Sequence, residues 1–190
     1  MLDIVEDAKA QSMNGVKGRH VLVALILFAL LTVVLTWPVT WRVDRVLIGD
    51  DYDVYINMWA NWWTRKTMER GLDFYHTDYI FFPQETSLAF FSFNHVNTVS
   101  WLLLTPLTGR VAAYNVTMLL VYTLSGFSMY MLVHHLTDSR RAGFVAGLVF
   151  AFCPYHMYEG AHPSLAAIQW MPLFVLSLRG ILQDPEAGRL

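Results

Sequence analysis

The run VLVALILFALLTVVLTWPVTW, Val21 to Trp41, decides the fold class of this chain. No ionisable side chain occurs between His20 and Arg42. At about 1.5 Å per residue, a helix of that length covers roughly 30 Å, the thickness of a bilayer's hydrocarbon core. Lys9, Lys17 and Arg19 precede it as the basic region of a secretory signal would. The apolar stretch is too long for a signal, however, and it ends in Trp37-Pro38-Val39-Thr40-Trp41, where a signal peptidase requires small side chains. The segment reads as an uncleaved anchor, transmembrane helix 21–41, whose tryptophans sit at the interface with ring in lipid and indole N–H toward water.

Further along, Val111 to Val133 is uncharged between Arg110 and His134 and carries Ser125 and Gly126, small residues against which another helix can pack closely. Two weaker segments follow. Residues 142–157 contain Gly143 and Gly147 at small-xxx-small spacing, and residues 165–182 contain Pro172 and Arg179. Short polar turns separate them, as antiparallel neighbours require. The expected fold is all-α, a polytopic transmembrane helical protein with a long, partly helical external first loop. Basic residues of short flanks stay in the cytoplasm. Lys9, Lys17 and Arg19 therefore place segment 1–20 inside, and Arg140, Arg141, Arg179 and Arg189 agree with four spans. The run Val96 to Gly109, interrupted by Pro106, is too short to cross and reads as an interfacial or re-entrant helix. Residues 42–110 then form one external loop, rich in Trp, Tyr and Phe and built to fold against a membrane face. The end, Asp184 to Leu190, reads as the start of a cytoplasmic loop of a chain that continues.

Composition agrees. The chain is 55% hydrophobic and 15% charged, more apolar than one soluble core of 190 residues needs. A net charge of −2 and the lack of any basic block leave nothing to favour nucleic acid as a partner. Cys153 stands alone, which excludes an internal disulfide and suits a small core hydrophobe.

The external loop opens with Gly49-Asp50-Asp51-Tyr52-Asp53. Asp50 or Asp51 suits a helix N-cap, and the residues after them have helical periodicity. Asp53, Asn57 and Asn61 fall near one face, with Tyr55, Trp59 and Trp62 or Trp63 on another, which predicts an amphipathic helix lying on the outer leaflet. Capping and the helix dipole account for Asp50 and Asp51. Asp53 sits a turn further in, beside amides and aromatics, where a carboxylate can act as a base toward a hydroxyl. Arg110, at the membrane boundary, suits either a phosphate or a lipid headgroup. His95 and His162 are external histidines without metal-ligand spacing. His134 and His135 end a span, where they favour the helix C-terminus. Trp59 suits either a sugar face or an interfacial belt.

The order of these features, with Ile80-Phe81-Phe82-Pro83, Phe93-Asn94-His95, Ala113-Tyr114-Asn115, Leu124-Ser125-Gly126, Phe150 to Tyr155, and His162 followed by Gln169-Trp170-Met171-Pro172-Leu173, resembles the GT-C superfamily of bacterial membrane glycosyltransferases. These enzymes take sugars from polyprenyl-phosphate carriers. The resemblance implies that Asp53, with Asp51 next, acts on the acceptor hydroxyl or binds a metal. It implies substrate contacts from Asn57, Trp59, His95, Arg110 and His162, and membrane-parallel helices at about 53–70 and 96–107. Its partners would be membrane lipid and a lipid-linked sugar donor. Enzymes of this fold have more spans than four, so a partner subunit would complete the site if the chain ended at Leu190. Asp50, Asp51 and Asp53 are hard oxygen ligands of the type that suits Mg²⁺ or Mn²⁺, and the cofactor stays open. A non-catalytic membrane subunit, whose loop docks a partner or lipid, is the alternative. A transporter fits less well, because the ionisable residues lie at span ends.

Overall fold

A computed structural model of the protein describes the backbone of residues 2–49 and 52–183 and the side chains of 18–49 and 52–182. Asp50, Asp51, the side chains of Lys9 and Lys17, and the C-terminal segment from Asp184 lie outside what is described. The chain is helical, with a small two-stranded ribbon. Among the described residues, three helical stretches are long and apolar enough to cross a membrane: Gly18–Leu35, Arg110–Thr137 and Pro163–Leu182. In the last of these the helix is interrupted between Ala166 and Trp170.

The chain divides into two compact units, and the first comprises residues 1–35, 120–153 and 168–190. Helix α1 (Leu2–Leu35) ends six residues short of the expected Trp41. Pro38 has no N–H to continue the ladder, and a 3₁₀ turn at Val39–Arg42 follows. One stripe of α1, Ala24, Phe28 and Thr32, is buried, while Leu22, Val23, Ile26, Leu27, Leu30 and Val33 point outward. Helices whose branched apolar side chains face out and whose small or polar ones face in are arranged as lipid requires.

Phe28 is fully buried against glycines of α4 (Arg110–Thr137) and α5 (Arg140–Phe152). A Cβ at Gly126 would lie 2.5 Å from the Phe28 ring, and one at Gly147 would overlap both that ring and the Gly126 carbonyl. Thr123 and Thr32 join hydroxyls at 3.1 Å, so α1 and the second half of α4 run side by side in opposite directions. Ser139 caps α5 through its hydroxyl oxygen, which accepts from Ala142 N at 3.2 Å. The third expected span, 142–157, is not one continuous helix. Cys153 is extended before Pro154, so α5 stops after 13 residues, about 20 Å, too short for a bilayer core. Helix α8 (Trp170–Gln183) completes the unit.

The second unit, residues 36–119 and 154–167, holds α2 (Tyr52–Arg70), strands β1 (His76–Thr77) and β2 (Thr86–Ser87), α3 (His95–Thr108), α6 (Pro154–Tyr158) and α7 (Pro163–Ala166). The strands pair antiparallel, His76 opposite Ser87. Positive φ values mark the breaks after α2, at Gly71 (+64°), and between α3 and α4, at Gly109 (+82°). Trp63 and Trp101 are buried, and each indole N–H donates to a main-chain carbonyl, that of Phe74 and that of Arg110, at 3.0 Å.

Helix α2 departs from a simple amphipathic helix on a surface. Val54, Ala60, Asn61, Trp63, Thr64 and Thr67 are buried, so part of the polar row faces protein. The Asn61 side-chain oxygen accepts from the Thr98 hydroxyl of α3 at 2.7 Å. Tyr52 and Tyr55 remain exposed.

Candidate functional site

Asp53 stands in the first turn of α2, and three devices of the second unit bring it to residues more than a hundred positions away. The first is Gly49, at φ +98°, where an added Cβ would lie 2.7 Å from Ala161 Cα and 2.8 Å from Val54 Cγ2. Only a residue without a side chain lets the chain entering α2 touch the 3₁₀ turn Glu159–Ala161. Asn115 is the second. Fully buried on α4, it accepts from Ile48 N (2.9 Å) and donates to the carbonyls of Val43 (2.7 Å) and Val46 (2.6 Å). One amide thus satisfies three main-chain groups of the strap before Gly49. Third, Asn94 donates to Pro163 O at 2.9 Å and so ties α3 to the start of α7. Buried His156, whose Nε2 lies 2.8 Å from Ala166 O, closes the α6–α7 segment on itself.

His162 sits between the 3₁₀ turn and α7, and its N–H donates to Glu159 O at 2.9 Å. Its ring meets a carboxylate on each nitrogen. Nε2 is 2.6 Å from Asp53 Oδ2, and Nδ1 is 2.9 Å from Glu159 Oε2. The second approach is close but lacks hydrogen-bond alignment, so it is a packing contact and not a hydrogen bond. The three side chains differ in exposure: Glu159 is 10% accessible, His162 28% and Asp53 41%. The row therefore runs from a buried carboxylate through an imidazole to a carboxylate open to solvent.

Asp53 and His162, separate expectations from the sequence, are thus brought together, whereas the other candidates lie elsewhere. Asn57 donates to the Asp53 main-chain carbonyl at 2.7 Å and so stiffens the first turns of α2. Trp59 stacks parallel on Trp63 with centroids 5.9 Å apart and packs on Phe91. His95 is exposed and stacks on Phe93 at 5.6 Å. Arg110 is exposed at the first turn of α4. Asp51 lies outside the described residues. Glu159 was not foreseen; its only sequence signal is its place three residues before His162 in a polar turn.

The exposed side of α2 opens on an apolar groove of about 820 Å³, lined by Tyr52, Tyr55, Ile56, Trp59, Phe81 and Phe90 among others. Tyr52, Phe81 and Phe90 are exposed, and the groove begins at the residue before Asp53. Among the described residues, no group of three or more His, Cys, Asp or Glu side chains is arranged to hold a metal ion. No protein-family model, curated protein or solved structure matches this chain.

Proposed function

We propose that this chain is part of a multi-pass membrane glycosyltransferase that moves a sugar from a polyprenyl-phosphate carrier to an acceptor hydroxyl outside the cytoplasmic membrane. The observation that carries the reading is the 2.6 Å contact between Asp53 and His162, residues drawn from two separate motifs of the superfamily resemblance. In support, the carboxylate is partly exposed, and Tyr52, the residue before it, lines an aromatic groove. Such a groove suits an isoprenoid chain, and its rings suit a sugar face.

In this mechanism Asp53 takes the proton of the acceptor hydroxyl while the oxygen attacks the anomeric carbon. The anomeric C–O bond breaks, and the polyprenyl phosphate leaves with the bonding pair. His162 engages one carboxylate oxygen and fixes the orientation of Asp53, leaving the other oxygen for the acceptor. Glu159 positions His162 from behind. In this reading the basic flanks keep the N-terminus in the cytoplasm, and loop 42–110 with Asp53 lies outside.

The test is transfer of labelled sugar from polyprenyl-phosphate donors in membranes bearing the chain. Asp53→Asn at equal expression is expected to abolish it, and transfer equal to native would remove Asp53 from the chemistry. The exposed rings of Phe81, Phe82 and Phe90 favour a second reading, a non-catalytic subunit whose loop docks on a partner or lipid. Absence of transfer with every donor, together with partner binding lost on Phe81→Ser, would establish that reading instead.

A further inference from the structure

Within the first unit, the beginning of the apolar part of α1, the end of α4 and the start of α5 surround a pocket of about 750 Å³. Its walls carry His20 from α1, His134 and His135 from α4, and Ser139, Arg140 and Arg141 at the start of α5. Among the described residues, Asp138 is the one acidic residue in the lining. Neither arginine has an ion-pair partner among the described residues. The Ser139 oxygen already accepts from Ala142 N, which leaves its O–H to donate outward. The two exposed guanidinium groups and the Ser139 hydroxyl, with the His20 and His135 imidazoles in the same lining, form a donor set for phosphate oxygens.

What surrounds the pocket selects the carrier of that phosphate. Val145 and Val149 follow Arg141 at four-residue intervals and so share its helix face, and both are 60% exposed. Val21 lies in the lining itself, and Leu22 beside it is exposed. An amphiphile with its phosphate at Arg140 and Arg141 would lay its acyl chains along Val145 and Val149. A free phosphate has no use for that face.

We propose that this pocket is a binding site for the phosphate headgroup of an anionic phospholipid. The site is separate from Asp53 and independent of any transfer chemistry; it rests only on the chain's residence in a membrane.

The experiment measures retention of phosphatidylglycerol and of phosphatidylcholine by the purified full chain, by native mass spectrometry from mixed micelles, with inorganic phosphate as competitor. Native protein is expected to prefer phosphatidylglycerol. Each arginine removed should weaken that preference about fivefold, so Arg140→Gln/Arg141→Gln should lower it roughly 30-fold. Asp138→Asn, which removes the opposing charge and spares the helix packing, should strengthen it, and this variant keeps the test decisive should the double variant fail to fold. An unchanged preference in the folded double variant, or equal retention of both lipids by native protein together with no gain in Asp138→Asn, would overturn the proposal. Displacement of the lipid by millimolar inorganic phosphate would assign the pocket to a free phosphate and overturn the lipid part.

Discussion

The two units build their interiors from opposite materials. In the first, the centre is shape: the Phe28 ring lies where Gly126 and Gly147 lack side chains, with Ala24 beside it. Its buried side-chain bonds come from short hydroxyls: Thr123 to Thr32, Ser125 to the Val121 carbonyl and Ser128 to the Ser125 carbonyl. In the second, side-chain amides hold the chain together: Asn115 satisfies three main-chain groups, Asn94 reaches Pro163, and Asn61 pairs with Thr98. The outer surfaces differ in step. Outward valines and leucines surround the first, and exposed rings of Tyr52, Phe81 and Phe90 mark the second. Where lipid removes the hydrophobic drive to associate, packing must come from fit. Where a polar site must be held in place, directional bonds give the positional control.

The largest expected effect tests whether the polar unit alone carries chemistry. Asp53→Asn should lower transfer by about 10²- to 10⁴-fold, the usual worth of a positioned base, with thermal unfolding in detergent unchanged. A similar loss in a folded Phe28→Leu protein would break the comparison. Next, Phe28→Ala should destabilise by about 3–5 kcal/mol, because the ring fills a site that glycines cannot close, read as a fall in the unfolding midpoint. Asn115→Ala should cost about 3 kcal/mol, since it strands an N–H and two carbonyls. Limited proteolysis should then cut between Val43 and Ile48. An Asn115→Leu protein as stable as native would show that shape, not bonding, holds this unit too.

The smallest effect concerns Asp73, outside any membrane-spanning segment. The Tyr75 N–H, and then the His76 side chain, hold its carboxyl below the ordinary value of 3.8. A carboxyl lowered in the folded state contributes stability above its unfolded value, and that contribution is lost as pH falls through the folded one. Fully exposed, it should move only local amide exchange at Tyr75 and His76 in acid, and Asp73→Asn should remove that pH dependence.

Much of this organisation was legible in the sequence. Helices expected at 53–70 and 96–107 run Tyr52–Arg70 and His95–Thr108, because glycines and the Asn94 cap punctuate both. The run around Pro106 forms a 14-residue helix, about 21 Å, in keeping with a segment too short to cross. The expectation for 142–157 failed at Cys153-Pro154: hydropathy averages over a proline that ends a helix. The inward turn of Asn61 was hidden because periodicity sorts residues onto faces without saying which face meets protein. Asp53 and His162 were both visible, but their contact depends on Gly49 and Asn115, whose roles exist only in three dimensions. Glu159 was invisible for the same reason.

Gly49 also bears on how a saturation library of this chain would look. Every substitution there would drive atoms into Ala161 and Val54, in a backbone conformation that other residues rarely adopt. Its tolerance profile would be as empty as the one the proposed mechanism expects at Asp53, although it offers no group for chemistry. The two kinds of intolerance separate at one substitution: Asp53→Asn preserves volume and removes only charge, whereas no replacement at position 49 preserves its shape.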